Sequence, residues 1–230
     1  EFIGALKSSA ATWPMTVGWI DCLARGRHLG RGVLHRGRWA QKDEAPAHLP
    51  GPITGPSVPV ECPPFVLQPA TVRLFNAAYF RRHPAIPHAR IIHPYRFFFP
   101  LDAIGHWTRL YGRRGFTQYQ CVLPEEAGHD AARRFLELAS RRGGASFLCV
   151  IKDCGPESDG LLTFPRPGIS IALDIPMRAA TPDLIDALNE QVIAEGGRVY
   201  LAKDALTKAA HFRQMESRLD RFLSVRRTWD

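Results

Sequence analysis

Between residues 116 and 204 the apolar positions recur at two periods that take turns along the chain. "GFTQYQCVLP" and "GISIALDIP" repeat every second residue, as strands do. "EEAGHDAARRFLELASRR" and "TPDLIDALNEQVIAEGG" repeat at three and four, as helices do. The pattern predicts a strand over 116–123, then a helix from about Glu125 to Arg142 stopped by Gly143 and Gly144. Strands follow over 146–154 and 168–176, the latter with Ile169, Ile171, Leu173 and Ile175 on one face and Ser170, Ala172 and Asp174 on the other. The next helix has Thr181 as its N-cap, Pro182 at its first position and a Gly-Gly stop. A strand over 198–204 and one long amphipathic helix complete the chain. The order β-α-β-β-α-β is the split βαβ, ferredoxin-like arrangement, an α+β fold whose antiparallel sheet carries both helices on one face. The other face is left free to line something.

Upstream the pattern is less regular. Residues 15–40 read as two short strands joined by a Gly/Arg-rich turn, with Arg25, Arg27, Arg31, Arg36 and Arg38 forming the most basic stretch. A solvated basic hairpin accounts for these arginines; a phosphate-facing role is the alternative. Residues 41–70 hold Pro46, Pro50, Pro52, Pro56, Pro59, Pro63, Pro64 and Pro69, a density that forbids helix and interior strand and predicts an extended connector. A short helix is expected over 71–82, with Val72, Phe75 and Tyr79 on one face. An extended segment interrupted at Pro94 should span 90–100, followed by a helix with Asp102 as N-cap and Gly112 just past its end.

The free sheet face gives a place to polar residues that strands seldom carry. Gln118 and Gln120 lie two apart and point the same way; Lys152, Ser170 and Lys203 come from the other three strands. Two amides, a hydroxyl and two ammoniums suit a hydroxyl-rich, anionic small molecule, because amides donate and accept while lysines act as point charges. A plainly solvated sheet face explains the same residues, since sheets with one wet face are common.

Charge adds one thing to this picture. The 230 residues carry a formal net charge of +8 and a pI near 9.6, which favours an anionic partner: phosphate, nucleic acid or an acidic membrane surface. The five cysteines are irregularly spaced with no C-x-x-C pair, which argues for free thiols in a reducing compartment and against zinc or a disulfide framework. The histidines are scattered, and no metal site is expected. No apolar run is long enough to span a membrane, and no signal peptide is visible. Dinucleotide, Walker, nucleophile-elbow and zinc-protease motifs are all missing. The chain does not begin with Met and runs to "VRRTWD" inside a helical pattern, so it is expected to be part of a longer protein.

Six stretches together carry a family resemblance: "WPMTVGWIDCLARGRHLGRGVLHRG", "FFFPLDAIGHWTRLYGRRGFTQYQCVLP", "FLCVIKDCG", "LTFPRPGISIALDIP", "EGGRVYLAKD" and "RLDRFLSVRRTWD". In this order they resemble the FAD-linked sugar oxidases among the vanillyl-alcohol-oxidase-like flavoproteins. The likeness is greater to the decaprenylphosphoryl-ribose oxidase branch than to the aldonolactone oxidases. It runs over nearly the whole chain, with gaps in the Pro-rich loop. It implies that residues 1–204 are a substrate-binding domain, with 41–70 as a loop, and that 205–230 begin a C-terminal segment returning to an FAD-binding domain. That domain and its Gly-rich pyrophosphate loop lie outside this sequence, so the chain alone should bind flavin weakly and not turn over.

The resemblance also implies residue roles. Lys203 in "YLAKD" is the catalytic residue, touching both FAD and substrate. Gln118 and Gln120 in "QYQ", Lys152 in "VIKDCG", Ser170, Ala172, Trp19, Phe99 and Arg109 are the substrate-binding residues. Phe99 stands where the ribose oxidases have a tyrosine, and Ser170 and Ala172 where they have an asparagine and a cysteine, which bears on substrate identity more than on flavin chemistry. The implied reaction is oxidation of a hydroxyl of a sugar, sugar lactone or lipid-linked sugar phosphate by hydride transfer to flavin. A cytoplasmic location is implied, with room for peripheral membrane contact and for a reductase partner in an epimerising pair. The competing class is a basic ferredoxin-like nucleic-acid-binding module. Its RNP aromatic signature is missing from "FLCVIKDC" and "GFTQYQCV", so no nucleic acid is expected.

Overall fold

The structure is a computed structural model that describes residues 1–51, 55–84, 86–203 and 206–229. Six strands form one sheet: β1 (Met15–Ile20), β2 (Gly32–Gly37), β3 (Phe116–Pro124), β4 (Cys149–Cys154), β5 (Gly168–Pro176) and β6 (Arg198–Val199). Their spatial order is β2-β1-β4-β5-β3-β6, and every neighbouring pair is antiparallel. The helices are α1 (Phe2–Ala10), α2 (Pro69–Arg82), α3 (Pro94–Phe98), α4 (Gly128–Arg141), α5 (Thr181–Ala194), α6 (Ala209–Met215) and α7 (Leu219–Trp229). The expected α+β architecture with an antiparallel sheet is therefore present. The β1–β2 hairpin lengthens the sheet beyond β4.

One face of the sheet makes the core. Tyr119, Cys121 and Leu123 of β3, Cys149 and Ile151 of β4, and Ile169, Ile171, Leu173 and Ile175 of β5 are all buried and share that face by register. They meet Ala131, Ala132, Phe135, Leu136 and Ala139 of α4 and Leu184, Ile185, Leu188 and Val192 of α5 in one apolar cluster. Tyr119 stacks on Phe135 with ring centroids 6.0 Å apart, and its hydroxyl donates to Asn189 Oδ1 at 3.0 Å. Helix α1 closes the same face over the hairpin. A Cβ on Gly18 would lie 2.6 Å from the Ile151 side chain and 3.2 Å from the Phe2 ring, so only glycine lets α1 and the sheet meet there.

Several predicted elements differ. The segment 90–100 is not an extended edge strand: Pro94 is the first residue of α3, where its fixed φ and missing N–H suit a helix start. The helix expected from Asp102 is two 3-10 turns, Pro100–Ala103 and Trp107–Tyr111; His106, in a left-handed conformation with φ 52°, separates them, and Asp102 lies inside the first turn rather than capping it. Thr181 is the first residue of α5 rather than its cap, and its hydroxyl accepts from Arg178 N and donates to Pro176 O. The strand expected over 146–154 starts at Cys149. The strand expected over 198–204 ends at Val199 and gives way to a 3-10 turn, Leu201–Lys203; its remaining residue, Asp204, lies outside the described residues. The single long C-terminal helix is two helices, because Glu216 turns its backbone out of the helical region and binds Arg218.

The second sheet face is not wholly bare. Trp19 lies on it, and its indole N–H donates to Phe147 O at 2.9 Å. Tyr79 of α2 packs on Trp19 at 4.7 Å, Phe75 on Phe147 at 5.8 Å, and Tyr111 on Phe116 at 4.3 Å. This aromatic layer covers the hairpin side and the start of β3, because rings supplied by the connecting segments bury more apolar area there than solvent exposure would allow. The polar part of the face lies beside it.

Candidate functional site

Register alone places most of the predicted residues on one surface. Gln120 pairs with Ala172, Gln118 with Asp174, and Lys152 with Ser170, while Val150, two residues before Lys152, pairs with both Ala172 and Trp19. Directly opposed side chains share a face, so Gln118, Gln120, Lys152, Ser170, Ala172 and Trp19 lie on the face away from α4 and α5. Lys203 joins them by another route. The backbone after β6 follows the edge of β3, with Tyr200 N donating to Gln120 O at 2.8 Å, and the 3-10 turn then brings Lys203 within electrostatic reach of Lys152 and Asp174.

The polar groups hold one another in fixed orientations. Gln120 Nε2 donates to Ser170 Oγ at 2.9 Å, and both residues are buried, 6% and 1% exposed. Gln118 Nε2 donates to Asp174 Oδ1 at 3.0 Å. Two acceptor atoms in this patch, Gln120 Oε1 and Asp174 Oδ2, are buried without a hydrogen-bond partner. Such atoms cost free energy, and native structures keep few of them outside functional sites. Loss of hydration, and then repulsion from Lys203, lower the Lys152 ammonium from its ordinary value, although its side chain keeps contact with solvent. Burial pushes the Asp174 carboxyl up to about 6; the Gln118 hydrogen bond and the Lys203 charge oppose that shift without cancelling it.

Two predicted residues are elsewhere. Arg109 Nη1 donates to Val58 O at 3.0 Å and to Pro59 O at 2.9 Å, stapling the Pro-rich segment to the second 3-10 turn. Phe99 is half exposed in a ring cluster with Tyr95 and Phe98. Asp174 is the residue that sequence reasoning passed over. The signal was present: a carboxylate in the middle of an apolar strand, in phase with Ser170 and Ala172. Two concavities, of about 260 Å³ beside Lys7 and His129 and about 520 Å³ beside Arg113 and Arg114, lie away from the patch. The patch is a shallow surface, which a closing partner surface would turn into a pocket.

No family model matches the chain. Individual proteins do. Decaprenylphosphoryl-beta-D-ribose oxidase of Mycolicibacterium smegmatis is 32% identical over 228 residues, 96% of this chain and 49% of that protein. A Streptomyces coelicolor protein described as an uncharacterized protein in the mprA 5′ region is 30% identical over 225 residues, 92% of this chain and 60% of its own length. The chain thus spans about half the length of the curated relatives it matches. The resemblance carried by the six motifs and the alignment agree: this chain is a relative of decaprenylphosphoryl-beta-D-ribose oxidase, similar along nearly its entire length to a portion of that enzyme.

Proposed function

We propose that this chain is the substrate domain of an FAD-dependent oxidoreductase that oxidises a hydroxyl of a sugar or lipid-linked sugar phosphate. The observation that carries the reading is the convergence of Gln118, Gln120, Ser170, Lys152 and Lys203 on one surface of a sheet whose other surface is the core. A relative named for oxidation of a lipid-linked ribose supports it. The strand order of β4-β5-β3-β6, with α4 and α5 between them in sequence, supports a ferredoxin-like core within residues 1–204, extended by the β1–β2 hairpin. Residues 205–230 then begin the return to an FAD-binding domain.

The donor set fits a flavin presented face-on to the sheet. Two ammoniums near each other favour negative charge developing on a ring edge, and the buried acceptors beside them accept hydroxyl or ring N–H donors. Flavin bound there would supply the hydride acceptor. In this reading Lys203 steadies the developing negative charge, Gln118 and Gln120 orient sugar hydroxyls, and Lys152 holds an anionic group. Trp19 walls the site toward the aromatic layer, and Ser170 fixes the Gln120 amide. Ala172 leaves space between Gln120 and Val150 where a larger side chain would narrow the fit. A lipid-linked substrate would bring the protein to a membrane surface and pair it with a reductase that consumes the keto product.

The test uses the full-length protein with its flavin. Anaerobic addition of a ribosyl phosphate lipid should bleach the yellow absorbance. Lys203→Ala should abolish bleaching, and Gln120→Ala should weaken binding about tenfold, the cost of one lost hydrogen bond at a buried site. Wild-type bleaching rates and affinities in both variants would overturn the assignment.

A further inference from the structure

Asp174 is 4% exposed, in the middle of β5, with one oxygen bound and the other without a partner. An ionised carboxylate in such a place is costly, and an asparagine would fill the same volume without charge. Its four neighbours come from four elements. Gln118 of β3 donates to it, Lys203 of the 201–203 turn lies within electrostatic reach, Tyr111 of the second 3-10 turn and Cys149 of β4 lie close enough to feel its charge, and burial raises both of these groups above their ordinary values. The Tyr111 hydroxyl is likewise buried without a partner. A carboxylate held here by one amide and one ammonium does nothing for the core that leucine would not do better.

What it does is decide which way Gln118 faces. An amide has one acceptor end and one donor end, and an ionised carboxylate can only accept. Asp174 therefore draws the Gln118 NH2 group inward. Gln118 is only partly buried, so its carbonyl is left turned to the open face. Gln120 is fixed in the same sense, its NH2 group spent on Ser170. We propose that Asp174 is a positioning residue of the site, a buried carboxylate that holds the Gln118 amide carbonyl-outward so that this end of the face accepts hydrogen bonds from sugar hydroxyls while the Lys152 and Lys203 end takes the anionic group. Protonated Asp174 can donate, so the amide may turn over and present its NH2 group instead. With the carboxyl at about 6, the acceptor orientation is held above that pH and released below it.

This inference rests on the sugar-oxidising reading and extends it to the polarity of the ligand. The test titrates octyl β-D-ribofuranosyl phosphate and each of its ring-deoxy counterparts into the full-length protein by calorimetry, at pH values either side of about 6. Above that pH the wild type should prefer the complete sugar to at least one deoxy sugar by about tenfold, the value of one well-placed hydrogen bond, and the preference should shrink below it. Asp174→Asn, which can bind Gln118 in either orientation, and Gln118→Met, which leaves the buried carboxyl untouched, should each erase the preference and its pH dependence. The double variant should be no worse than either single one. A preference that survives Asp174→Asn, or losses that add in the double variant, would overturn the positioning role alone. Wild-type protein that binds neither sugar would overturn the functional reading with it. Loss of the pH dependence in Gln118→Met decides the matter even if Asp174→Asn fails to fold.

Discussion

Replacing Asp21 with alanine should release α2 from the sheet. Asp21 follows β1 directly and is 2% exposed. Its Oδ2 accepts from Arg31 Nε at 2.9 Å and Nη2 at 2.7 Å; its Oδ1 accepts from Leu23 N at 3.1 Å and Asn76 Nδ2 at 2.8 Å. Asn76 is wholly buried on α2 and would keep only a long bond to Ser146 O at 3.3 Å. Breaking a buried pair from one side costs about 3–5 kcal/mol, and an orphaned buried N–H costs about 1–3. Arg31 retains 25% exposure of its side chain and the face of Phe80 at 5.4 Å, so it recovers part of its loss in water. The net expectation is about 3–4 kcal/mol for Asp21→Ala and about half that for Asp21→Asn, which keeps the shape and an acceptor. Native-state hydrogen exchange in the full-length protein is the right assay, since it reports local opening without assuming one global transition. Amides of α2 should exchange faster by the corresponding factor while those of α4 hold. A cost below about 1 kcal/mol, or equal loosening of α4, would refute the reasoning.

The same logic predicts that Asp174 costs stability at neutral pH. Its folded value of about 6 lies above the ordinary 3.8, so its contribution is fully favourable below the unfolded value and is lost as pH rises through about 6. Above that the buried charge costs at most about 3 kcal/mol, and Asp174→Asn should raise the melting temperature near pH 8 but not near pH 4. Equal shifts at both pH values would contradict this. Thiol labelling should divide the five cysteines by burial: Cys62 and Cys154 react in the native state, while Cys22, pushed up to about 12 by burial, together with Cys121 and Cys149, reacts only after unfolding. Native labelling of Cys121 would show that the α4–α5 face opens.

The amino-acid sequence by itself determined the elements whose signal is local. The two-residue alternation of "GISIALDIP" and the three-and-four spacing of α4 and α5 are properties of neighbouring residues, and they specified which side of β3 and β5 turns to the core. It also put Gln118, Gln120 and Ser170 on the side away from that core, because a strand that buries one phase must expose the other. Tertiary structure decided what no short stretch encodes. Lys203 reaches the patch from a 3-10 turn beside β3, since β6 pairs only with Cys121 and Val122 before the chain leaves the sheet. Arg109 is claimed by the carbonyls of Val58 and Pro59, some fifty positions away, and the aromatic layer over Trp19 is assembled from α2, the 107–111 turn and Phe147. The role of Asp174 is of the same kind: its charge, burial and hold on Gln118 exist only once β3 and β5 are in register. Periodicity is read from adjacent residues, whereas burial, electrostatic reach and partner choice depend on which distant segments the folded chain brings together.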